Sequence, residues 1–250
     1  QGMSEFDDDV DFDGFVEDQD RVSEFRHSTV GLQGYYDAAN GRLKHKLLIA
    51  QSENNNDNFA DGLLGNQSSA IKDQFQYIGS LFWDDSAQRV SLLLAHENER
   101  FKQTGPFFSG VNAGSRVKRT SDSLALEYRV DVTDALTLAA SGRYDDNSEF
   151  DSAETLRLAA SYQASDETRL RGAWGTAIKN PTFTERFAIF GFFVGNPNLI
   201  PEESEGWELG IDHVLLNGKI HLGATFFNAE LENEINGFAP TSGGNSTAVN

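Results

Sequence analysis

Apolar and polar residues alternate along most of this chain with a period of two, which is the period of a strand. Between positions 136 and 145, Leu136, Leu138, Ala140, Gly142 and Tyr144 fall on one side, and Thr137, Ala139, Ser141, Arg143 and Asp145 on the other. Leu156, Leu158, Ala160 and Tyr162 repeat the pattern against Thr155, Arg157, Ser161 and Gln163. Leu124, Leu126, Tyr128 and Val130 oppose Ser123, Glu127 and Arg129, while Val90, Leu92 and Leu94 oppose Ser91, Ala95 and Glu97. Ile220, Leu222, Ala224 and Phe226 oppose His221, Gly223 and Thr225. The pattern predicts about ten strands, near 21–37, 41–53, 72–84, 88–104, 119–132, 135–146, 153–165, 168–178, 203–216 and 219–235. There is no helical periodicity, and the acidic first twenty residues are expected to be a loop.

The predicted connections alternate in length. Short turns fall at 38–41, 84–88, 133–134, 165–167 and 217–218, the last an Asn-Gly pair whose residues tolerate positive φ. Longer polar links fall at 54–70, 104–117, 145–152, 180–202 and from 236 onward. Many alternating runs reach about ten residues, whereas globular strands are usually about five or six. Long strands joined by short turns and long loops in alternation follow the plan of an outer-membrane barrel: all-β, antiparallel, with short periplasmic turns and long extracellular loops. A soluble all-β sandwich is the alternative. Its polar face would also carry charge, as the polar positions here do at Glu97, Glu127, Arg129, Arg143, Arg157, Arg169, Arg171, Glu208 and Asp212. Tyr128, Tyr144, Tyr162, Trp174 and Trp207 lie on the apolar face near predicted strand ends, where aromatic rings with polar tips suit a bilayer interface.

Composition narrows the function classes. Twenty Lys and Arg stand against 39 Asp and Glu, for a net charge of -19, which argues against a nucleic-acid partner. The absence of Cys excludes a disulfide scaffold, a Cys-based zinc site and a thiol nucleophile. No apolar run approaches the roughly 18 to 20 residues of a membrane helix, a test that β-strands escape. The N-terminal residues carry neither a basic segment nor an apolar one, so the expectation is either a cytoplasmic chain or an interior piece of a longer one.

One stretch is more specific. Trp174-Gly175 is followed by Lys179, Pro181 and Thr182. Gly195, Asn196, Pro197, Asn198, Leu199, Pro201 and Glu202 come next, then Trp207, Glu208 and Gly210. A hairpin leads to Phe226, Phe227, Asn228, Glu232 and Ile235, and upstream stands Arg143-Tyr144-Asp145. In order and spacing this resembles the barrel of TonB-dependent outer-membrane receptors, closest in flavour to the cobalamin-receptor branch. The resemblance implies a segment of a 22-stranded barrel. The whole of 1–250 would be a partial barrel domain without the plug and C-terminal strands. It also implies active uptake of a scarce metal chelate, a ferric siderophore or cobalamin, driven through TonB by way of an N-terminal segment. The surroundings would be outer-membrane lipid and lipopolysaccharide. On this reading Glu127, Arg129, Arg143, Arg157, Arg169 and Arg171 face the lumen and hold the plug. Pro181, Asn196, Pro197, Leu199, Pro201 and Glu202 organise a loop and strand register, with Glu202 placed to accept hydrogen bonds from loop amides. A passive porin or adhesin barrel, or an outer-membrane barrel enzyme, are the alternatives.

Other constellations invite chemistry. Asp9, Asp11, Asp13 and Gly14 fit the first half of a calcium loop with Asp20 at its closing position, where a bidentate Glu is usual. Calcium on an extracellular loop is one reading and a solvated acidic loop the other; no other cofactor is implied. Asp145, Asp146, Glu149 and Asp151 form a similar cluster. Asn54, Asn55, Asn56, Asp57 and Asn58 read as a mobile loop tip, or as a surface for ligand or cation-bridged lipopolysaccharide. Phe190, Phe192 and Phe193, joined by Phe107 and Phe108, read as loop packing or as the lip of a ligand vestibule. None of His27, His45, His96, His213 and His221 lies in a metal-spaced pair on one element or beside a Ser in a nucleophile elbow, so no enzyme is expected.

Overall fold

The alternating runs pair in sequence order. A computed structural model describes residues 2–8, 17–104, 116–190 and 193–250. Its strands are β1 (Gly2–Asp8), β2 (Glu17–Ala38), β3 (Leu43–Ala60), β4 (Leu63–Trp83), β5 (Gln88–Thr104), β6 (Arg116–Thr133), β7 (Leu136–Asn147), β8 (Ala153–Ser165) and β9 (Thr168–Lys179). A short helix α1 (Phe183–Phe187) follows, then β10 (Ile189–Phe190), β11 (Phe193–Val194), β12 (Glu202–Leu215), β13 (Ile220–Glu232), β14 (Asn236–Pro240) and β15 (Ser246–Val249). Eleven strands form one antiparallel sheet in the order β1-β2-β3-β4-β5-β6-β7-β8-β9-β12-β13. The remaining four make a small sheet, β10-β11-β15-β14. An up-and-down sheet of this kind needs only tight turns at one end, and these are present. Asn217 and Gly218 adopt φ of 53° and 87° in the expected Asn-Gly hairpin. Thr133 Oγ1 accepts hydrogen bonds from the Ala135 and Leu136 amides at 3.2 and 3.1 Å.

Two expectations are corrected. The acidic N-terminus is not all loop, because Gly2–Asp8 is a strand paired with β2, from Gly2 opposite Phe25 to Asp8 opposite Glu17. Backbone pairing with a longer neighbour needs no apolar alternation of its own, so the pattern could not reveal it. The polar link at 54–70 is likewise mostly strand: β3 and β4 continue to a two-residue turn at Asp61 and Gly62, with φ of 51° and 73°. Asn and Asp are poor strand residues because their side chains compete for backbone groups. Here those side chains bond across the ladder instead. Ser23 donates to Asn56 at 3.0 Å, Asn58 to Asn66 at 2.6 Å, and Asp57 accepts from Arg26 and Gln67 at 3.1 and 2.7 Å. The Asn-rich run is a strand, not a loop tip.

The two faces of the large sheet differ as predicted. Leu43, Leu81, Val90, Tyr128, Ala140, Leu158, Trp174 and Trp207 stand in one cross-strand row on the apolar face. These side chains are not covered: Leu126 and Leu158 are each 54% exposed and Leu209 60%. Among the described residues the buried hydrophobic side chains are Phe101, Ala188, Phe193, Leu199 and Ala248, with Pro181. A soluble sandwich would bury its leucine face against a second sheet. A continuous exposed apolar band instead calls for an apolar medium. No helix of the described residues is long and apolar enough to cross a membrane.

Aromatic residues mark both borders of the band. Near the short turns Trp83 stacks on Tyr128 at 6.1 Å, and the Tyr128 hydroxyl donates to Gln88 at 2.6 Å. Toward the other end Trp174 and Trp207 face each other in register, and Trp174 Nε1 donates to Glu205 at 2.9 Å. These two tryptophans sit inside their strands, not at the ends, because β9 and β12 continue beyond the band.

Candidate functional site

At the long-loop end, residues 180–190 and 193–201 fold against the polar face, held by three sets of contacts. Pro181 is fully buried and its carbonyl accepts from Arg119 Nη1 at 2.9 Å. The same guanidinium pairs with Glu99 at 2.7 Å and lies 4.9 Å above the Phe183 ring, which stacks on Phe101. Gln103 Oε1 accepts from the Ile189 amide at 3.0 Å. Glu99, Phe101, Gln103 and Arg119 all occupy positions that alternate onto the polar face, so the loop lies on that side.

α1 is capped reciprocally. Thr182 Oγ1 accepts from the Glu185 amide at 3.2 Å, and Glu185 accepts from the Thr182 amide at 2.7 Å. This capping box fixes five residues that could not hold a helix alone. Arg186 then reaches Glu149 at 2.9 Å and the Pro197 carbonyl at 3.0 Å, with its guanidinium against the rings of Phe150 and Phe187.

The small sheet completes the structure. Phe193, Leu199 and Ala248 form its buried core, with Ile235 packed against them. Asn196 donates to the Ala248 carbonyl at 3.0 Å and accepts from the Asn198 amide at 3.0 Å. Asn250 brackets Ile200, accepting from its amide at 2.9 Å and donating to its carbonyl at 3.1 Å.

Glu202, 7% exposed, joins the two halves of the rim. It accepts from Lys179 Nζ at 2.6 Å and from the Ile235 amide at 2.7 Å, as the sequence suggested for loop amides. It stands at the rim beyond the apolar band, since the neighbouring Glu203 and Glu205 occupy the positions that carry Trp207 and Leu209 lower down. The Lys179 hydrogen bond and then the Ile235 amide hold its carboxyl below the ordinary range. A lowered native pKa stabilises above the ordinary carboxylate value and is lost as pH falls through the lowered one. Hydrogen-exchange protection at Ile235 is therefore expected to be full at neutral pH and to collapse on acidification. Glu202→Gln should flatten that pH dependence; an unchanged profile in the variant would assign the protection to other groups.

Outside this assembly, a cleft of about 1020 Å³ opens between residues 148–152 and 197–201. Its wall includes Glu203 opposite Glu232 and Glu205 opposite Glu230. No group of three or more acidic or His residues among those described is spaced to hold a metal ion.

Residues 3–250 match the family described as TonB dependent receptor-like, beta-barrel. The chain belongs to the TonB-dependent receptors. It is 29% identical over 201 residues to the vitamin B12 transporter BtuB of Vibrio vulnificus, covering 80% of this chain and 31% of that protein. It is 28% identical over 210 residues to the corresponding transporter of Photobacterium profundum, covering 83% and 32%. The chain thus spans about a third of the length of the curated relatives it matches. Its fold resembles the siderophore receptor PirA from Pseudomonas aeruginosa, with a TM-score of 0.72 at 17% identity, over 92% of this chain and 45% of that one. It also resembles the Serratia marcescens hemophore receptor HasR, with a TM-score of 0.75 at 15% identity, over 93% and 45%.

This TonB-dependent receptor barrel is an outer-membrane protein of Gram-negative bacteria, so its apolar face meets lipid and its polar face lines the lumen. Eleven strands are half of a 22-stranded barrel. The relatives are transporters and receptors, not enzymes.

Most of the lumen residues chosen from sequence are neutralised by other charged residues of the wall. Glu127 pairs with Arg89, and Arg129 with Asp131 at 3.2 Å. Arg143 pairs with Asp145 at 2.6 Å and donates to Ser123 at 2.9 Å. Arg169 pairs with Asp212 at 2.8 Å, while Arg171 lies 3.6 Å from Glu208 and donates to Thr225 at 2.5 Å. Arg157 is exposed and has no ion-pair partner among the described residues.

The remaining choices fare differently. Phe193 does not form a vestibule lip: it is buried in the small-sheet core and meets Phe238 edge-on at 5.5 Å. Phe192, Phe107 and Phe108, and the Phe190 side chain, lie outside the described residues. So do Asp9, Asp11, Asp13 and the side chain of Asp20, whose backbone belongs to β2. Arg119, Arg186 and Asn250, which carry most of the loop contacts, were missed. They belong to no local motif, and only the facing position of Arg119 on β6 hinted at the lumen side.

Proposed function

We propose that the whole protein is an outer-membrane transporter for active uptake of a scarce metal chelate, a ferric siderophore or cobalamin, energised through TonB. The observation that supports this most is the fixed loop platform on the lumen side of a polar wall. A passive pore gains nothing from anchoring residues 180–201 by two arginines and a buried carboxylate. A receptor that must present a shaped vestibule does. Likeness to vitamin B12 transporters over 80% of the chain supports the same reading.

The test is equilibrium binding of cyanocobalamin and of ferric siderophores to the protein purified from outer membranes. Uptake in cells with and without TonB accompanies it. Saturable binding of one chelate and TonB-dependent uptake are expected. Binding of neither class, with TonB-independent leakage of small solutes, would replace this reading by that of a passive pore.

Within the same reading, the lumen guanidinium left unpaired is the plug contact. Arg157 faces the lumen without a carboxylate, whereas its neighbours are neutralised in the wall. A charge-assisted hydrogen bond contributes about 1.5–3 kcal/mol, so Arg157→Leu should lower plug retention and uptake about tenfold or more. Arg143→Leu should act less, through its own pair with Asp145. Unchanged plug retention and uptake in the double variant would remove both residues from plug docking.

A further inference from the structure

The lumen face of β2 and β3 carries a hydroxyl group arranged for chemistry that uptake does not use. Ala38 stands opposite Leu43 of the apolar row, and the register of β2 on β3 is continuous from Arg21 to Ala38. Alternation therefore sends Val30 and Leu32 to the lipid side and His27 and Thr29 to the lumen. Thr29 stands opposite Ser52, and the same cross-strand row continues through Lys72 and Glu99 to Arg119, which holds Pro181. His27 stands opposite Asn54. His27, Thr29 and Asn54 are exposed, so a small molecule in the lumen reaches them.

These four side chains form one hydrogen-bonded chain whose direction is set at a single atom. Asn54 Oδ1 lies 2.6 Å from His27 Nδ1. An amide oxygen only accepts, so Nδ1 carries the proton and donates. A neutral imidazole has one N–H, which leaves Nε2 as the acceptor. Thr29 Oγ1, 3.1 Å from Nε2, donates to it. With its proton placed there, Thr29 Oγ1 accepts from the Ser52 hydroxyl at 3.0 Å. Both ring nitrogens are thus engaged, and no carboxylate pairs with the ring among the described residues. A hydroxyl bonded to an imidazole whose other nitrogen is held by a third group is the arrangement of an activated nucleophile. The ladder itself does not require it, since β2 and β3 are paired along their whole length by backbone.

We propose that Thr29 is an acylation site, taking the acyl group of an activated carboxylic ester that enters the lumen. Thr29 Oγ1 adds to the acyl carbon as its proton passes to His27 Nε2. The bond from the acyl carbon to the leaving oxygen then breaks, and the alcohol departs with the proton held on His27. The product is a threonine ester and a free alcohol, with no change of oxidation state. Asn54 does not touch the reacting atoms. It is a positioning residue, which keeps the ring in the tautomer that can take the threonine proton. Ser52 donates to Thr29 Oγ1 and so steadies the charge that develops there as the proton leaves. The serine has no base of its own, because its proton points to the threonine. The reaction stops at the acylated threonine, is stoichiometric, and does not depend on which chelate the whole protein takes up.

The test is treatment of the full-length protein, purified from outer membranes, with p-nitrophenyl acetate at neutral pH. Acetyl groups are then placed by fragment-ion mass spectrometry of tryptic peptides, Thr29 lying in 27–42 and Ser52 in 47–72. A positioned base contributes about 100-fold or more, so Thr29 should be acetylated at least about 100-fold faster than Thr155. Thr155 faces the lumen opposite Arg143, without an imidazole beside it. That comparison is made within the wild-type protein and needs no variant to fold. His27→Gln should bring Thr29 down to the rate of Thr155. Asn54→Asp retains an acceptor and should keep the label, whereas Asn54→Leu frees the tautomer and should slow labelling by at least about tenfold. Thr29 labelled no faster than Thr155, or labelled at the wild-type rate in His27→Gln or Asn54→Leu, would overturn the proposal. A lasting acetyl group on His27 or Ser52 in place of Thr29 would overturn it as well.

Discussion

Replacing Gly195 by Ala is expected to unseat the loop between β9 and β12. A Cβ at this position would lie 2.6 Å from the Arg186 carbonyl carbon, 2.6 Å from the Phe187 nitrogen and 2.8 Å from the Arg186 oxygen. All three are backbone atoms, so no side-chain rotation relieves the contact. α1 cannot retreat either. Arg186 is tied to Glu149 and Pro197, and the Gly195 and Asn196 amides donate to the Ala188 and Glu185 carbonyls at 2.8 Å each. Overpacking in well-packed sites costs about 1–3 kcal/mol, and a backbone-to-backbone clash belongs at or above the top of that range. The glycine is needed here for close approach. Hydrogen exchange over 183–200 should lose its protection and ligand affinity should fall, while unfolding of the large sheet changes little. Gly237→Ala is the matched control, since a Cβ there meets nothing within 4 Å. Retained protection at 183–200 in Gly195→Ala would mean that the loop can repack around an added methyl group.

Arg119→Ala is expected to have the second-largest effect. The side chain is 11% exposed and does three things at once: it neutralises Glu99, satisfies the carbonyl of the fully buried Pro181, and covers the Phe183 ring. Truncation leaves a carboxylate and a carbonyl without their partner. Charged hydrogen bonds contribute about 1.5–3 kcal/mol and a partly desolvated cation–π contact about 0.5–2, so the loop should lose roughly 2–4 kcal/mol of docking energy. Arg119→Lys keeps the charge but cannot bridge Glu99 and Pro181 with a planar fork, and should restore less than half. A double-mutant cycle with Glu99→Gln separates the ion pair from the rest. Additive effects, with no coupling between positions 119 and 99, would show that the two side chains act separately.

Much of the wall was legible before any coordinates. Alternation at 124–130, 136–145 and 156–163 gave strands, faces and order, because a residue's side of a sheet depends only on its parity. The Asn217-Gly218 turn was legible for a similar reason: positive φ is a property of the residue pair itself. Where bonding runs between strands, the same reasoning failed. Asn54, Asn55, Asn56, Asp57 and Asn58 look like loop by composition, yet their side chains bond across the ladder to Ser23, Arg26, His27, Asn66 and Gln67 or, at Asn55, to Glu53. Gly2–Asp8 became a strand through pairing with β2.

The motif at Pro181, Asn196, Pro197, Leu199, Pro201 and Glu202 marked the rim without explaining it. Its residues meet partners far along the chain: Pro181 meets Arg119, Asn196 meets Ala248, and Glu202 meets Ile235. Residue order was enough to read the period, the two chemically opposite faces, the hairpin plan and the family. How far the strands extend, which lumen charges are already paired, and that Phe193 is core became visible only in the folded chain. Parity is local and can be counted along the chain, whereas register and contact depend on which distant residue stands opposite.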